Sequence, residues 1–330
     1  MKIAIVKLSA MGDIIHAMVA LQYIKKSNPT IKIDWIVEKA FAEILEGNSD
    51  IDNILPVHLK SIKKDKKALF SQIKLVKEYA KNGYDLVIDA QGLLKSAIVA
   101  KVLGKKRAGF SKSSIREGVA SYFYQHKVNI AYDTNTIDRN TRVMSDPLNI
   151  EITPQMILDK EPFLFYTDTG DLNYLSHEKK NIVFVIGSTW ESRNYPKEQF
   201  AQLANLLQQN ILIAWGNSEE KERAEWIATQ SRHVTVLPKM NLNGLKATIG
   251  QADLLIGNDT GPTHMAWGMN VPSITLFGPT PVNRVYETAI NKVLKSSSVV
   301  NHYKLNKNDF SIKEIEVNTI YRMAEGLLNA

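Results

Sequence analysis

The sequence predicts an α/β protein built from two successive doubly wound units. Three observations carry that reading. Short β-branched apolar runs alternate with helical patterns from Lys2 onward, as in a parallel sheet wrapped by helices. The alternation weakens over 151–180, where Pro154, Pro162 and Gly170 stand without periodicity, and then restarts at Asn181. A length of 330 residues exceeds one ordinary core and makes two domains the prior.

In the first unit, Lys2 to Val6 reads as a buried parallel strand. Leu8 to Gly12 is a small-residue turn, and Asp13 opens a helix with Ile14, Ala17, Met18 and Leu21 on one face. Ile31–Val37 and Ile51–Val57 are strands flanking a short helix, Ala40 to Glu46. Tyr84–Asp89 is the next strand, after a helix from about Leu69 to Lys81. Gln91-Gly92 leads into an apolar helix, Leu93 to Leu103, and residues 107 to 150 read as short helices and turns. In the second unit, strands are expected at Asn181–Ile186, Ile211–Trp215, Val234–Leu237, 253–256 and Val271–Phe277. Helices are expected around Phe200–Leu207 and Glu219–Thr229, before 253, and from Pro262 to Gly268. A final helix over 312–328 carries Ile312, Ile315, Ile320, Met323 and Leu327 near helical period.

Composition narrows the class. An apolar content of 44% is ordinary for a globular protein, and the absence of cysteine excludes disulfides and thiolate metal sites. Lys7 and Gly12-Asp13 interrupt what could pass for a signal-peptide core, and no apolar run approaches membrane-spanning length; a cytoplasmic enzyme is expected. The formal net charge of +7 lies wholly in residues 1–165, with 25 Lys and Arg against 18 Asp and Glu, so that half is expected to meet an acidic partner. The run Lys60, Lys63, Lys64, Lys66 and Lys67 is either a solvated loop or the contact for that partner. It lacks interleaved aromatics, which argues against nucleic acid.

The chemistry-bearing residues fall in turns after strands, where α/β sheets bind ligands. IGNDTGPTHMAWG places Asp259, Thr260, Gly261 and His264 at one helix start. This is a natural phosphate seat, or else Asp259 or Thr260 caps the helix. GSTWESRNYP offers the hydroxyls of Ser188 and Thr189 and the forked cation of Arg193. Glu219 or Glu220, after the strand ending at Trp215, could hold a ribose or simply favour a first helical turn. Asp13 is a helix cap or a carboxylate facing a crevice, and His16 is read as packed or solvated. No GxGxxG follows the first strand, which excludes the standard dinucleotide fingerprint.

KLSAMGDIIHAMVAL, DAQGLLKSA, VLPKM and GNDTGPTHMAWGMNVPSITLFGPT together resemble the ADP-heptose glycosyltransferases of family 9, most like the members that build the lipopolysaccharide inner core. The resemblance spans nearly the whole chain. It implies a GT-B fold, two Rossmann-like domains facing across a cleft: an acceptor domain over 1–165, a nucleotide-sugar domain over 166–311, and a C-terminal helix, 312–330, crossing back to the first. It implies inverting transfer of L-glycero-D-manno-heptose from ADP-heptose to the Kdo of Kdo2-lipid A, with no cofactor or metal and no nucleic acid partner. The place implied is the cytoplasmic face of the inner membrane. A heptosyltransferase with another acceptor and a non-catalytic nucleotide-sugar-binding protein are the alternatives.

By the same resemblance Asp13 matches the general base and Thr189 a phosphate-contacting hydroxyl, while Glu220 and Met240 match positions around adenosine. Asp259, Thr260, Gly261 and His264 match the turn for sugar and diphosphate, with Ser188 beside it and Arg193 at the leaving group. Lys60, Lys63, Lys64 and Lys67 would meet the Kdo carboxylates and lipid A phosphates. The sequence departs from the pattern twice, with Arg193 where lysine is usual and Ala10 where serine is common.

Overall fold

The computed structural model describes residues 1–63, 68–301 and 303–330, without the side chains of Ile62 and Lys63. The chain divides into two compact units, Met1–Phe163 and Leu164–Ala330.

The first unit runs β1 (Lys2–Val6), α1 (Met11–Ser27), β2 (Lys32–Glu38), α2 (Ala42–Leu45), β3 (Asn53–Val57), α3 (Ala68–Ala80), β4 (Leu86–Asp89), α4 (Leu94–Leu103), β5 (Arg107–Phe110), β6 (His126–Val128), α5 (Thr136–Ser145) and α6 (Pro154–Leu158). Its strands form one parallel sheet in the order β3-β2-β1-β4-β5-β6. Central strands of such a sheet are covered on both faces, which is why Ile3 to Val6 are all apolar and fully buried. Pro56 sits in the edge strand β3, where a missing N–H is tolerated. In α1 every residue from Ile14 to Leu21 is buried, so this helix is enclosed on all sides.

The second unit repeats the plan with β7 (Asn181–Val185), α7 (Lys197–Leu207), β8 (Asn210–Ala214), α8 (Ser218–Gln230), β9 (Val234–Val236), α9 (Leu242–Gly250), β10 (Leu254–Asn258), α10 (Gly261–Gly268), β11 (Ser273–Phe277), β12 (Asn291–Lys295) and α11 (Val317–Leu328). Its sheet reads β12-β11-β10-β7-β8-β9, again all parallel. Counted within each unit, both sheets have the strand order 3-2-1-4-5-6 of a doubly wound fold, so the expected architecture is met twice.

One expectation is corrected. Residues 107–150 contain the strands β5 and β6, and residues after 281 contain β12, none of which the sequence pattern announces. The C-terminal segment packs into the core of the second unit. Ile312, Ile315, Val317, Ile320 and Ala324 are buried in the core that also holds Phe200, Leu203, Ile256 and Leu276 of the second unit. An added Cβ at Gly278 would lie 2.7 Å from the Ile312 Cβ, a measure of how closely this segment packs. Among the described residues no helix is long and apolar enough to cross a membrane.

Candidate active site

In a doubly wound sheet the crevice opens where the strand order reverses, between the first and fourth strands. In the second unit these are β7 and β10, paired with Gly257 opposite Val185. Gly257 has no room for a side chain, since an added Cβ would meet the Val185 Cβ at 2.6 Å. At the strand end, Asn258 ties the two turns together. Its Nδ2 donates to the Ile186 carbonyl at 2.8 Å, and its Oδ1 accepts from the Tyr195 N–H at 3.0 Å.

Asp259 follows and is buried. Its Oδ2 accepts from Arg193 Nη2 at 2.8 Å and from the Thr280 hydroxyl at 3.0 Å, and its Oδ1 lies 3.2 Å from His264 Nε2. The same Arg193 Nη2 also reaches the Asp259 main-chain carbonyl. Burial alone would raise the Asp259 pKa. The hydrogen bond from His264 and the positive charges of Arg193, His264 and Arg284 outweigh burial and hold the carboxyl well below the usual carboxylate range. For Arg193, burial lowers the pKa, with Asp259 opposing and Arg284 adding to that shift.

The capping alternative for this turn is not what is built. Asp259 spends its carboxylate on Arg193, His264 and Thr280, and Thr260, the residue at the helix start, makes no side-chain cap. Among the described residues this leaves the Thr260 and Gly261 N–H groups for an anion, while Pro262 has none and the Thr263 N–H donates to the Thr260 carbonyl at 3.1 Å. Across the crevice, the Ser188 and Ser192 hydroxyls and Arg193 Nε are buried without a hydrogen-bond partner among the described residues, and Thr189 is exposed. Arg193 further packs 5.5 Å from the Trp190 ring, and the loop is braced from behind by the Tyr195 hydroxyl, which donates to the Ile315 carbonyl at 2.7 Å.

Glu220 lies in the first turn of α8, its carboxylate accepting from the Gly216 N–H at 2.7 Å and from Asn217 Nδ2 at 2.9 Å. It also lies against the end of β7. A Cβ on Gly187 would come within 2.2 Å of its Oε1, so any side chain there would push the Glu220 carboxylate out of this position. Met240 is half-buried beyond β9, with its sulfur 3.6 Å from the Thr248 hydroxyl. Sequence reasoning missed Arg284 and Thr280. Both reach Asp259 from the segment after β11, where no periodic pattern drew attention.

In the first unit the reversal point lies between β1 and β4. Asp13 is in the first turn of α1, partly exposed, and accepts from the Ala10 N–H at 3.2 Å. That bond makes it a partial cap without consuming the second carboxylate oxygen. The turn bearing it is held from β4. The Gln91 side-chain oxygen accepts from the Leu8 and Ser9 N–H groups at 2.9 and 3.0 Å, while Asp89 Oδ1 accepts from the Gln91 and Gly92 N–H groups. Beneath it, buried Lys7 donates to the Ala90 carbonyl at 2.8 Å and to Asn140 Oδ1 at 2.9 Å. Burial lowers the Lys7 pKa, opposed by Asp13 and Asp89. Gln91 and Lys7 are further residues that sequence reasoning did not place in the site, although DAQGLLKSA was noticed as a motif.

His16 is buried within α1, in keeping with a packed role. Of the lysine run, Lys60 is exposed, with its Nζ 5.1 Å from the Phe41 ring. Lys63 closes a 3-10 turn, Leu59–Lys63, whereas Lys64 and Lys67 lie outside the described residues.

Residues 72–315 match glycosyltransferase family 9 (heptosyltransferase). The chain belongs to that family. Lipopolysaccharide heptosyltransferase 1 of Campylobacter coli is 38% identical, with 99% of each chain covered. The Escherichia coli K12 protein of the same name is 33% identical over 85% of this chain and 88% of its own. E. coli heptosyltransferase WaaC, solved with ADP-2-deoxy-2-fluoro heptose, superposes with a TM-score of 0.81 at 26% identity over 100% of both chains. The two six-stranded parallel sheets of this family 9 glycosyltransferase are those of the GT-B fold. Its enzymatic class sets what the site has to do: bind an activated sugar, stabilise the leaving group and activate an acceptor hydroxyl.

Proposed function

We propose that this glycosyltransferase moves L-glycero-D-manno-heptose from ADP-heptose to the Kdo of Kdo2-lipid A, with inversion, working peripherally at the cytoplasmic face of the inner membrane. The observation that carries the donor half is the Arg193–Asp259–His264 cluster at the start of α10, with Arg284 beside it. A diphosphate laid there meets backbone N–H groups and two guanidinium charges, so departing ADP is stabilised without protonation by a strong acid. On this reading the diphosphate needs no metal and the enzyme no cofactor. Glu220 holds the ribose hydroxyls, Met240 packs on the adenine, and Ser188 and Thr189 add hydroxyl donors to the phosphates. The names of the relatives, lipopolysaccharide heptosyltransferase 1, support the sugar and the pathway step.

Asp13 serves the acceptor. Its free carboxylate oxygen takes the proton of the Kdo hydroxyl as that oxygen bonds to the anomeric carbon. The bond from this carbon to ADP breaks on the opposite face, its electron pair passing to the diphosphate. Inversion follows from single displacement. Lys60, Lys63, Lys64 and Lys67 contact the acidic glycolipid on this reading.

The test is ADP release from ADP-heptose with and without Kdo2-lipid A, in the presence of EDTA. Acceptor-dependent release insensitive to EDTA is expected. Release only with a heptosylated acceptor would move the enzyme one step along the core, and loss of rate restored by a divalent cation would place the diphosphate on a metal. ADP binding without any turnover would leave a nucleotide-sugar-binding protein.

A further inference from the structure

Residues 94–128 contain eight Lys and Arg and one acid, Glu117, so this segment carries a net +7, as much as the entire chain. The remaining residues are therefore neutral in sum. Within the segment only Arg107 is spent internally, donating to the carbonyls of Phe123, Gly104 and Lys105. Lys95, Lys101, Lys105, Lys106, Lys112, Arg116 and Lys127 are all exposed.

The same segment exposes apolar side chains that its core does not use. Leu94 and Ile98 of α4 are 40% and 47% exposed, and Val119 and Tyr122, in the 3-10 turn Gly118–Phe123, are 61% and 70% exposed. The two elements lie side by side. The Leu94 N–H donates to Glu117 at 2.7 Å at one end, Lys101 lies 5.5 Å from the Phe123 ring at the other, and Ala97 packs with Ala120 between. Lys127 lies 6.0 Å from the Tyr122 ring. Aliphatic and aromatic groups set among lysines that have no acidic partner among the described residues suit an interface that is oily beneath and anionic above.

We propose that this face of the first unit docks on the surface of an anionic phospholipid bilayer. Lysines near such a surface gain attraction additively, while the exposed leucine, isoleucine, valine and tyrosine enter the headgroup boundary. A second copy of the chain is a poor occupant, because this surface would meet its own positive charge. A nucleic acid would use stacking aromatics rather than Leu94, Ile98 and Val119. The proposal deepens the reading of a membrane-held acceptor and names the surface that meets the lipid.

The experiment is co-sedimentation of the full chain with vesicles of phosphatidylcholine, alone or mixed with phosphatidylglycerol, both free of glycolipid and nucleotide. Wild type is expected to bind only the mixed vesicles. Replacing Lys95, Lys101 and Lys127 together by Ala should weaken binding about a hundredfold. Val119→Ser with Tyr122→Ser should remove the part that survives high salt, which screens only the charges. Neither variant should change melting temperature or ADP affinity. Equal binding by wild type and the lysine variant overturns the proposal. So does binding that requires Kdo2-lipid A in the vesicle, which would assign the patch to the substrate. A wild-type dimer made monomeric by the serine pair would assign it to self-association, and an acidic protein partner is excluded by binding to protein-free vesicles. Because no turnover is measured, failure here leaves the heptosyl-transfer reading standing, and failure of that reading leaves vesicle binding intact.

Discussion

Arg193 holds Asp259 at two points with a single guanidinium nitrogen, donating to the carboxylate at 2.8 Å and to the main-chain carbonyl of the same residue. The arginine thereby fixes both the charge and the backbone of the turn that opens α10. Both partners are largely withdrawn from water, with side chains 12% and 3% exposed.

Removing the arginine leaves a buried carboxylate short of its partner. Arg193→Ala is expected to lose about 3–5 kcal/mol of stability, the usual cost of breaking a buried pair, and to weaken ADP by tenfold or more. Arg193→Lys keeps the charge and should retain most of the stability. Thermal denaturation and isothermal titration check both, and a wild-type melting curve for Arg193→Ala would show that the pair does not hold the turn.

The pH dependence follows from the lowered Asp259 pKa. A carboxylate whose folded value lies below its unfolded one contributes stability that is complete above the unfolded value, about 3.9, and is lost as pH falls through the folded value. The stability gap between wild type and Asp259→Asn should therefore stay constant from about pH 7 to 5 and narrow below about pH 4. Urea unfolding at stepped pH measures it. A gap that already closes between pH 6 and 5 would contradict the depressed value.

Asp13→Asn separates base from cap. An amide oxygen can still accept the Ala10 N–H, so the variant should fold normally and bind ADP like wild type. Its kcat should fall by roughly 10² to 10⁴, the range for general-base assistance. Near-wild-type turnover would leave Asp13 as a cap.

Gln91 acts one step further back, through the turn it pins. Gln91→Leu strands two backbone N–H groups of Leu8 and Ser9 and is expected to lower kcat by about tenfold or more with ADP affinity unchanged. Gln91→Glu keeps an acceptor but adds a negative charge near Asp13. Its kcat should lie above that of Gln91→Leu, because the two amides keep their acceptor. An equal loss of kcat in both variants would show that the side-chain acceptor is not what positions the turn.

The two sheets were legible because their central strands announce themselves. Ile3 to Val6 and Leu254 to Ile256 are apolar throughout, as strands covered on both faces must be. The strands β5, β6 and β12 read RAGF, HKV and NKVLK, and become strands only because a neighbour offers its open edge. The Asp259 turn was legible for its crowding of polar residues beside a helix start. Arg284 was not, since its charge reaches Asp259 through an irregular segment whose path no local pattern encodes. The job of Gln91 was hidden for a related reason: the amides it holds lie 82 and 83 residues earlier in the chain. The positive charge was correctly placed in the first half. The largest share lies not in the Lys60–Lys67 run but over 94–128, a segment whose aliphatic content masked its basic character.

The burial of Ile312, Ile315 and Ile320 in the second core has a consequence for biosynthesis. During translation the first unit can close as soon as residue 163 has cleared the ribosome, while β7 to β12 wait with one face of their sheet uncovered. The second unit therefore matures after the first, and a chain stopped near residue 310 would bare the apolar surface around Phe200 and Leu276 to chaperones and proteases. In this enzyme the second core is complete only once residues 312–324 have been made.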